Sequence, residues 1–312
     1  MTPETPAALL SASELANRLG EKGYIASDEV SLALFLACRL QKPLLVEGPP
    51  GVGKTELAKA AAATLELALI RLQCYEGVDE AKALYEWKYG KQLLYTQMLK
   101  QQLDQVLGDS VGLAASMDKL HAMDDVFFSE RFVEPRPLLK ALQQQQGAVL
   151  LIDEIDKSDE EFEALLLEIL SDYQVSIPEI GTVKAERIPV VILTSNQTRE
   201  LSDALRRRCL HLYIPFPGAD QEIEILRSRI PDISLQLARQ LAAFVDRLRQ
   251  LELTKQPAIS ETIDWARALL LLHADALDEA TVLSTLNVLL KHKDDIDNVA
   301  EQLRQLLPGD AG

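Results

Sequence analysis

A short glycine-rich stretch, GPPGVGKT at residues 48–55, carries residue types that bind phosphate. It matches G-x-x-x-x-G-K-[ST] and lies between a strand-like apolar run and a helix-like run, the context that this motif needs. Glycines let backbone N–H groups approach an anion, and the N-terminus of the following helix favours negative charge. Lys54 offers a positive charge to the β- and γ-phosphates, and the Thr55 hydroxyl can ligate Mg²⁺. We therefore predict an ATP and Mg²⁺ site whose cofactor-binding residues are Gly48, Pro49, Pro50, Gly51, Val52, Gly53, Lys54 and Thr55.

Polar side chains also follow two other apolar runs. Asp153 and Glu154 come directly after AVLLI, and Asn196 lies three residues after PVVIL. Ligands of open parallel sheets bind beyond the carboxyl ends of the strands, and adjacent strand residues point in opposite directions. We therefore assign Asp153 to the metal ion, Glu154 to the orientation and activation of water, and Asn196 to that water or the γ-phosphate. The alternatives are an acidic pair that caps a helix and an asparagine that only forms a turn.

Three consecutive arginines, Arg206, Arg207 and Arg208, end a short predicted helix in a chain whose net charge is −16. They are either a solvated helix end, which is favourable at the negative end of the dipole, or a contact to an anion. An arginine that one subunit supplies to its neighbour's phosphates accelerates phosphoryl transfer by about 10³- to 10⁵-fold. We predict that one of the three has this role.

The elements that must position these residues are five short apolar runs separated by segments of helical periodicity. Runs of this kind are typical of strands buried on both faces of a parallel sheet. They are PLLV, LALIRL, AVLLI, PVVIL and LHLYI. The expected fold is α/β, with helices on both faces of the sheet. From Gly218 onward the pattern is almost wholly amphipathic helix, so we expect an α/β domain at 1–217 and a smaller all-α domain at 218–312.

Two insertions interrupt the α/β pattern, at about 75–146 and about 174–188. In the first, Tyr85, Trp87 and Tyr89 alternate with polar residues before a glycine, which predicts a strand with one aromatic face. The second has two alternating runs around a Pro and Gly turn, which predicts a β-hairpin. Between the insertions, Ser158 and Glu161 have the spacing of a capping box at the start of a helix.

Composition narrows the functional class. The strongly acidic balance argues against a general binder of nucleic-acid backbones. Cys38, Cys74 and Cys209 lack the spacing of a zinc site or a disulfide framework, and the histidines are scattered. The N-terminus lacks the pattern of a signal peptide, and the apolar runs are too short or too interrupted by charge to span a bilayer. We expect a cytoplasmic protein with no membrane insertion.

The order GPPGVGKT, LLIDE, TSN, RRRC and then a helical region closely resembles the AAA+ ATPases, over about Tyr24 to Leu270. The aromatic-bearing insertion and the hairpin before TSN resemble the MoxR branch, whose members are chaperone-like remodelling ATPases with von Willebrand factor A (VWA) domain partners. The stretches RLQCYEGVDEAKALYEWKYGKQLLYTQ and FFSERFVEPRPLLKAL look most like members linked to maturation of molybdenum-containing carbon monoxide dehydrogenase-type enzymes.

The resemblance implies a ring homo-oligomer, usually a hexamer, with nucleotide at subunit boundaries and a C-terminal helical lid domain. By motif position Arg208 matches the arginine finger, with Arg207 as the second candidate. The family's insertions face the pore or a partner, which makes Tyr85, Trp87 and Tyr89 candidate contacts, although core packing of the insertion explains them equally. A VWA-domain protein and a metalloenzyme client are the expected partners.

One feature departs from the family pattern. The lid arginine expected near AISETIDWAR is missing from the start of that helix, which holds Ser260, Glu261 and Thr262. Arg267 lies further along and either substitutes for it or is a surface residue, the interpretation that we favour. Two other functions stay open: a nucleic-acid motor or clamp-loader-like ATPase that stacks bases on the insertion's aromatic residues, and a nucleotide-binding switch without significant turnover.

Overall fold

The computed structural model describes residues 11–95, 97, 130–178, 180–274 and 276–307. Its centre is a five-stranded sheet in which every pair of neighbouring strands runs parallel. The strands of the described chain are β1 (Leu44–Glu47), β2 (Ala68–Gln73), β3 (Tyr85–Trp87), β4 (Val133–Pro135), β5 (Ala148–Asp153), β6 (Gln174–Ile177), β7 (Gly181–Lys184), β8 (Val190–Ser195) and β9 (Leu210–Tyr213). The order in the large sheet is β2-β5-β8-β1-β9.

All five apolar runs form strands of this sheet, and the predicted α/β fold with a parallel sheet is confirmed. β1, β5 and β8 are buried along their whole length, as expected for central strands. The two edge strands differ: three of the six side chains of β2 and two of the four side chains of β9 are exposed, and each strand has one buried side chain. The prediction that every strand is buried on both faces is therefore wrong at the two edges.

Helices cover both faces of the sheet and continue beyond it. They are α1 (Ala12–Glu21), α2 (Asp28–Leu40), α3 (Lys54–Leu65), α4 (Glu80–Ala83), α5 (Pro137–Leu142), α6 (Glu160–Asp172), α7 (Asp203–Arg208), α8 (Ala219–Arg229), α9 (Leu235–Arg249), α10 (Ile259–Leu271), α11 (Glu279–Leu289) and α12 (Lys293–Leu306). Alternation along β1 explains the two layers. Leu44 and Val46 pack in the cluster that contains α1 to α3, whereas Leu45 packs in the cluster that contains α5 and α6.

The helix that follows β5 begins one residue later than its capping signal predicts. Asp159, not Ser158, caps α6, and its carboxylate accepts a hydrogen bond from the N–H of Phe162 at 2.9 Å. Ser158 instead donates its hydroxyl to the carbonyl of Ile155 at 2.8 Å, which closes a 3₁₀ turn at Ile155–Lys157. The predicted capping box of Ser158 and Glu161 is wrong, because the Ser158 hydroxyl bonds within the 3₁₀ turn that the chain forms as it leaves β5.

The two insertions have different outcomes. The hairpin is confirmed, because β6 and β7 pair antiparallel. In the first insertion, Tyr85 and Trp87 lie on β3, which pairs with β4, and both half-buried rings pack against the core on the α5 side of the sheet. The strand ends at Trp87. Tyr89 belongs to a helical stretch at 89–95 and is 68% exposed, so the predicted three-residue aromatic face is wrong.

The C-terminal region is all-helical and has its own apolar cluster, built from α8 to α12 around Phe244 and Trp265. A buried ion pair joins two of its helices, with Arg249 donating to both carboxylate oxygens of Glu222 at 2.7 and 3.2 Å. Among the residues that the structure describes, no helix has the length and apolar character needed to cross a membrane.

Candidate functional site

The phosphate-binding loop joins the end of β1 to the start of α3, as the sequence predicts. Gly48 has φ of 147°, and a side chain there would overlap the carbonyl oxygen of Ile214. Glycine is therefore required at the first position of the loop, because the backbone of Ile214 in the same chain leaves no space for a Cβ atom. The loop ends at Gly53, in the left-handed conformation, and α3 begins at Lys54.

Lys54 is buried and holds the loop in place. Its Nζ donates hydrogen bonds to the carbonyl oxygens of Gly48 and Pro49 and to Oδ1 of Asn196, each at 2.7 Å. Burial lowers the pKa of Lys54 to about 8, and the nearby carboxylates of Asp156, Asp153 and Glu154 oppose that shift. The contact to Asn196 brings together two residues that lie far apart in the sequence.

Asp153, the last residue of β5, lies beside the loop. Its Oδ1 accepts hydrogen bonds from the hydroxyls of Thr194 at 2.6 Å and Thr55 at 3.0 Å. Its Oδ2 accepts from the Arg71 guanidinium, with Nη2 at 2.6 Å and Nε at 3.0 Å. A buried carboxylate next to a hydroxyl at a phosphate-binding loop is the oxygen donor set that Mg²⁺ uses, with the remaining positions left to water and phosphate. Asp153 and Thr55 therefore fit the predicted metal ion.

Glu154 lies outside the strand. Its φ of 56° and ψ of 50° are left-handed, and its N–H donates to Oγ1 of Thr194 at 2.9 Å. Because Glu154 lies outside the strand, the alternation of strand side chains does not apply to it, and Asp153 and Glu154 both line the same cavity. The Glu154 carboxylate accepts hydrogen bonds from Gln73 at 2.8 Å and from Lys157 at 2.7 Å.

Sequence reasoning missed Arg71 and Gln73 on the edge strand. They are two residues apart, so they share a face of β2, and Gln73 lies opposite Asp153 in the β2–β5 register. Arg71 also donates to Oε1 of Gln73. The signal in the sequence is the polar pair at the end of LALIRLQ. Whether this pair lies beside Asp153 and Glu154 depends on which strand pairs with β5, and the sequence does not give the strand order.

The site opens into a cavity of about 600 Å³. One side is polar and contains Lys54, Thr55, Asp153, Glu154 and Asn196. The other side is largely apolar and comes from the turn before α2, the chain after β9, and helices α8 and α10; its residues include Tyr24, Ile25, Val30, Ile214, Pro215, Ile225, Ile259 and Ile263. A cavity with one charged end and one apolar end suits a ligand that also has one charged part and one apolar part.

The C-terminal helices reach the loop directly. A Cβ atom on Gly51 would lie 2.6 Å from Cβ of Ala258 and from Oγ of Ser260, so the start of α10 packs against the loop where glycine leaves room. Arg267, two turns further along α10, also lines the cavity, although its side chain is more than half exposed and pairs with Asp264 at 3.4 Å. The arginine that we favoured as a surface residue is therefore at the site's edge.

The structure does not bring the remaining predicted residues into this cavity. Arg208 is exposed at the end of α7 and donates from Nε to Oγ of Ser171 at 3.0 Å, and Arg207 is also exposed. Neither lines the cavity of its own chain as the structure describes it. Tyr85, Trp87 and Tyr89 lie on the insertion, likewise outside the cavity lining.

Comparison with protein families gives one model that spans the site. The model for the ATPase family associated with various cellular activities (AAA) matches residues 44–216. The matched range covers more than half of the chain, and it begins with β1 and ends after β9. It therefore contains the whole parallel sheet together with the phosphate-binding loop, Asp153, Glu154 and Asn196.

Curated relatives are distant. The chaperone protein ClpB of Chlamydia trachomatis is 27% identical over 183 residues, which are 57% of this chain and 17% of the relative. Chaperone protein ClpB 2 of Parasynechococcus marenigrum is 30% identical over 152 residues, 48% of this chain and 13% of the relative. The chain thus spans less than a fifth of the length of these chaperones. An uncharacterized protein of Staphylococcus haemolyticus is 27% identical over 271 residues, 83% of this chain and 86% of the relative.

Among solved structures, the Holliday junction branch migration motor RuvB of Thermotoga maritima is similar. The match has 20% identity and a TM-score of 0.44, and it covers 97% of this chain and 80% of that chain.

Proposed function

Because the chain belongs to the ATPase family associated with various cellular activities (AAA), we propose that it binds ATP with Mg²⁺ and hydrolyses ATP to ADP and phosphate. The observation that carries this proposal is the meeting of Lys54, Asn196, Thr55 and Asp153 at the carboxyl ends of β1, β5 and β8. The polar end of the cavity takes the phosphates, and the apolar end takes the nucleoside.

Each residue has one proposed task. Lys54 and the N-terminal N–H groups of α3 hold the β- and γ-phosphates, and Thr55 with Asp153 holds Mg²⁺, which neutralises charge on the transferred phosphoryl group. Glu154 orients and activates water; Gln73 and Lys157 both donate to its Oε2, and its Oε1 is the oxygen proposed to accept from that water. Asn196, whose Oδ1 accepts from Lys54, helps Glu154 to position that water or contacts the γ-phosphate. Arg208 of one chain stabilises the developing charge in the site of a neighbour, with Arg207 as the second candidate.

We further propose that the chain works as a ring, with a hexamer as the expected size, and that residues 1–217 and 218–312 are two domains that move against each other. The contact of α10 with Gly51 supports such a coupling, because the helical region touches the loop that holds the phosphates. A nucleotide drives such a motion when it binds one arrangement of the two domains more tightly than the other.

We propose that this motion serves protein remodelling of the MoxR type. Its support is the resemblance of the two insertions to that branch and the similarity of about half of the chain to ClpB chaperones. In this proposal a VWA-domain protein is the partner, a metalloenzyme under maturation is the client, and the cytoplasm is the site of action. Tyr89 is the most exposed aromatic residue of the insertion that the structure describes and the best candidate for client contact.

The test measures ATPase rate against protein concentration, with light scattering to give size at each point, for wild type and Arg208→Ala. We expect a rate per chain that rises with assembly and falls by about 10³-fold or more in the variant, as when an arginine finger is lost. Mixing Arg208→Ala with Lys54→Ala chains should restore part of the rate, because each variant supplies what the other lacks. A concentration-independent rate from a monomer contradicts the shared site.

Client contact is tested separately, with reduced and carboxymethylated α-lactalbumin as an unfolded probe protein. We expect the probe to stimulate the wild-type ATPase and Tyr89→Ala to lose the stimulation while its basal rate stays unchanged. Tyr75→Ala is the matched control, because Tyr75 is also exposed but lies before the insertion's strand. Equal stimulation of all three proteins rules out a role for Tyr89.

A further inference from the structure

Glu47 is the last residue of β1 and directly precedes the phosphate-binding loop, and its side chain is almost fully buried. Its carboxylate accepts hydrogen bonds from Arg206 Nη2 at 2.8 Å, His211 Nε2 at 2.7 Å and Gln197 Nε2 at 3.1 Å. A buried carboxylate is stable only when such partners replace water. These partners come from α7, β9 and the loop after β8, so one side chain joins three elements.

Glu47 is connected to Lys54 in two ways. Along the chain, the carbonyl of Gly48 accepts a hydrogen bond from Lys54 Nζ. Through the side chain, Gln197 follows Asn196, whose Oδ1 accepts from the same Nζ. Gln197 has φ of 59°, and its N–H donates to Ser195 Oγ at 3.0 Å. A left-handed backbone at a residue other than glycine is held by its surroundings, and the Gln197 side chain bonds Glu47, so this residue joins the Asn196 loop to Glu47.

A third connection from Glu47 leads away from the cavity. Arg206 lies in α7, a six-residue helix that also carries Arg207 and Arg208. In a rigid helical turn, a change at Arg206 moves its neighbours with it. Glu47 thus lies between Asn196, which lines the cavity, and the exposed arginines Arg207 and Arg208.

We propose that Glu47 is a positioning residue that fixes α7 to the Asn196 loop, so that the nucleotide state of one chain sets the orientation of Arg207 and Arg208 toward the next chain. The inference rests on the proposed ATPase function and adds a regulatory connection to it. The coupling is reciprocal: an arginine docked in the neighbouring site also biases the Asn196 loop of its own chain.

The test is a double-mutant cycle with Gln197→Ala and Arg206→Met, which cut the two sides of the connection and leave Glu47 with its other partners. We expect kcat to fall about tenfold in each variant while the KM for ATP and the affinity for a fluorescent ADP stay within about threefold, because coupling of this size is typical of linked sites. The double variant should lose no more than either single variant. Arg206→Lys, which keeps a cation at Glu47, should restore most of kcat.

A control cycle pairs Gln197→Ala with Arg199→Met. Arg199 also pairs with a nearly fully buried carboxylate, that of Glu163, at 2.5 Å, but among the described residues it makes no hydrogen bond or ion pair with Glu47. In this cycle the two losses, including the loss of stability measured by urea unfolding, should simply add, as for independent sites.

If kcat of the Gln197 and Arg206 double variant falls about a hundredfold, the inference is overturned. Two independent tenfold losses multiply in this way, because their free energies add. Equal non-additivity in both cycles also overturns it, because the effect then belongs to the whole loop. If wild type binds ATP and hydrolyses none, the proposed function fails and the inference fails with it. Hydrolysis with additive variants overturns the inference alone.

Discussion

The buried charged side chains of two regions of this protein have different surroundings. In the C-terminal helices, Arg249 and Glu222 are 8% and 0% exposed, pair through both carboxylate oxygens, and do not line the cavity at the strand ends. At the carboxyl ends of the strands, Asp153 is 3% exposed, but its partner Arg71 is 50% exposed and the carboxylate lines a large cavity. The first pair is closed on itself, and the second region is open to a ligand.

The difference distinguishes charged residues that stabilise the fold, such as Arg249 and Glu222, from charged residues that are placed to contact a ligand, such as Lys54 and Asp153. Burial raises the pKa of Glu222, and Arg249 opposes that shift through direct hydrogen bonds to its carboxylate. Lys54 has backbone carbonyls and a neutral amide as its hydrogen-bond acceptors, and burial leaves its pKa lowered to about 8. A cation whose charge is not satisfied within the protein gains the most from an arriving phosphate.

The largest expected effect is at the open region. Glu154→Gln keeps the shape of the side chain but removes the carboxylate that is proposed to activate water, so turnover should fall by about 10²- to 10⁴-fold. Affinity for a fluorescent ATP analogue should stay close to that of wild type, and Glu160→Gln, an exposed change at the start of α6, should leave both quantities unchanged. Normal turnover in Glu154→Gln contradicts the assignment.

The next effect is at the closed pair. Arg249→Met leaves Glu222 buried without its cation, and the free energy of unfolding in urea should fall by about 3–5 kcal/mol. Arg304→Met removes an ion pair between exposed side chains and should cost less than about 1 kcal/mol. Adding Glu222→Gln to Arg249→Met should recover part of the loss. A small effect of Arg249→Met alone shows that the pair is not closed.

Lys54 gives the open region a dependence on pH. Its free-state pKa of about 8 is below the ordinary value, and phosphate oxygens favour the charged form, so binding takes up a proton above that pH. Affinity for fluorescent ADP should fall roughly tenfold from about pH 7.5 to about pH 9. Lys59→Met, an exposed change on the same helix, should keep this profile, whereas Lys54→Met should bind weakly at every pH. A flat wild-type profile contradicts a lowered pKa.

The smallest effect is the stability of Lys54→Met. The change removes a buried cation that faces a cavity open to water, so the free energy of unfolding should change by less than about 1 kcal/mol near pH 7. Between about pH 8 and 10.5 the unfolded chain binds more protons at Lys54 than the folded chain, and the stability of wild type relative to Lys54→Met should rise. A loss as large as that of Arg249→Met removes the distinction between the two regions.

Much of the fold follows from local pattern. The five apolar runs predict the strands of the sheet, and the two alternating runs at about 174–188 predict the hairpin of β6 and β7. Both depend on residues close in sequence. The capping residue of α6 and the end of β3 at Trp87 were predicted incorrectly, because a 3₁₀ turn in one case and pairing with β4 in the other overrode the local signal.

The candidate site divides in the same way. The sequence by itself determined the phosphate-binding loop and the strand ends that carry Asp153 and Asn196, because backbone freedom at glycine and side-chain alternation in strands are properties of short segments. Only the tertiary structure decided that Glu154 turns into the same cavity, that Arg71 and Gln73 hold the two carboxylates, and that α10 closes over Gly51. Those contacts depend on strand order and on the packing of distant segments, which no local pattern encodes.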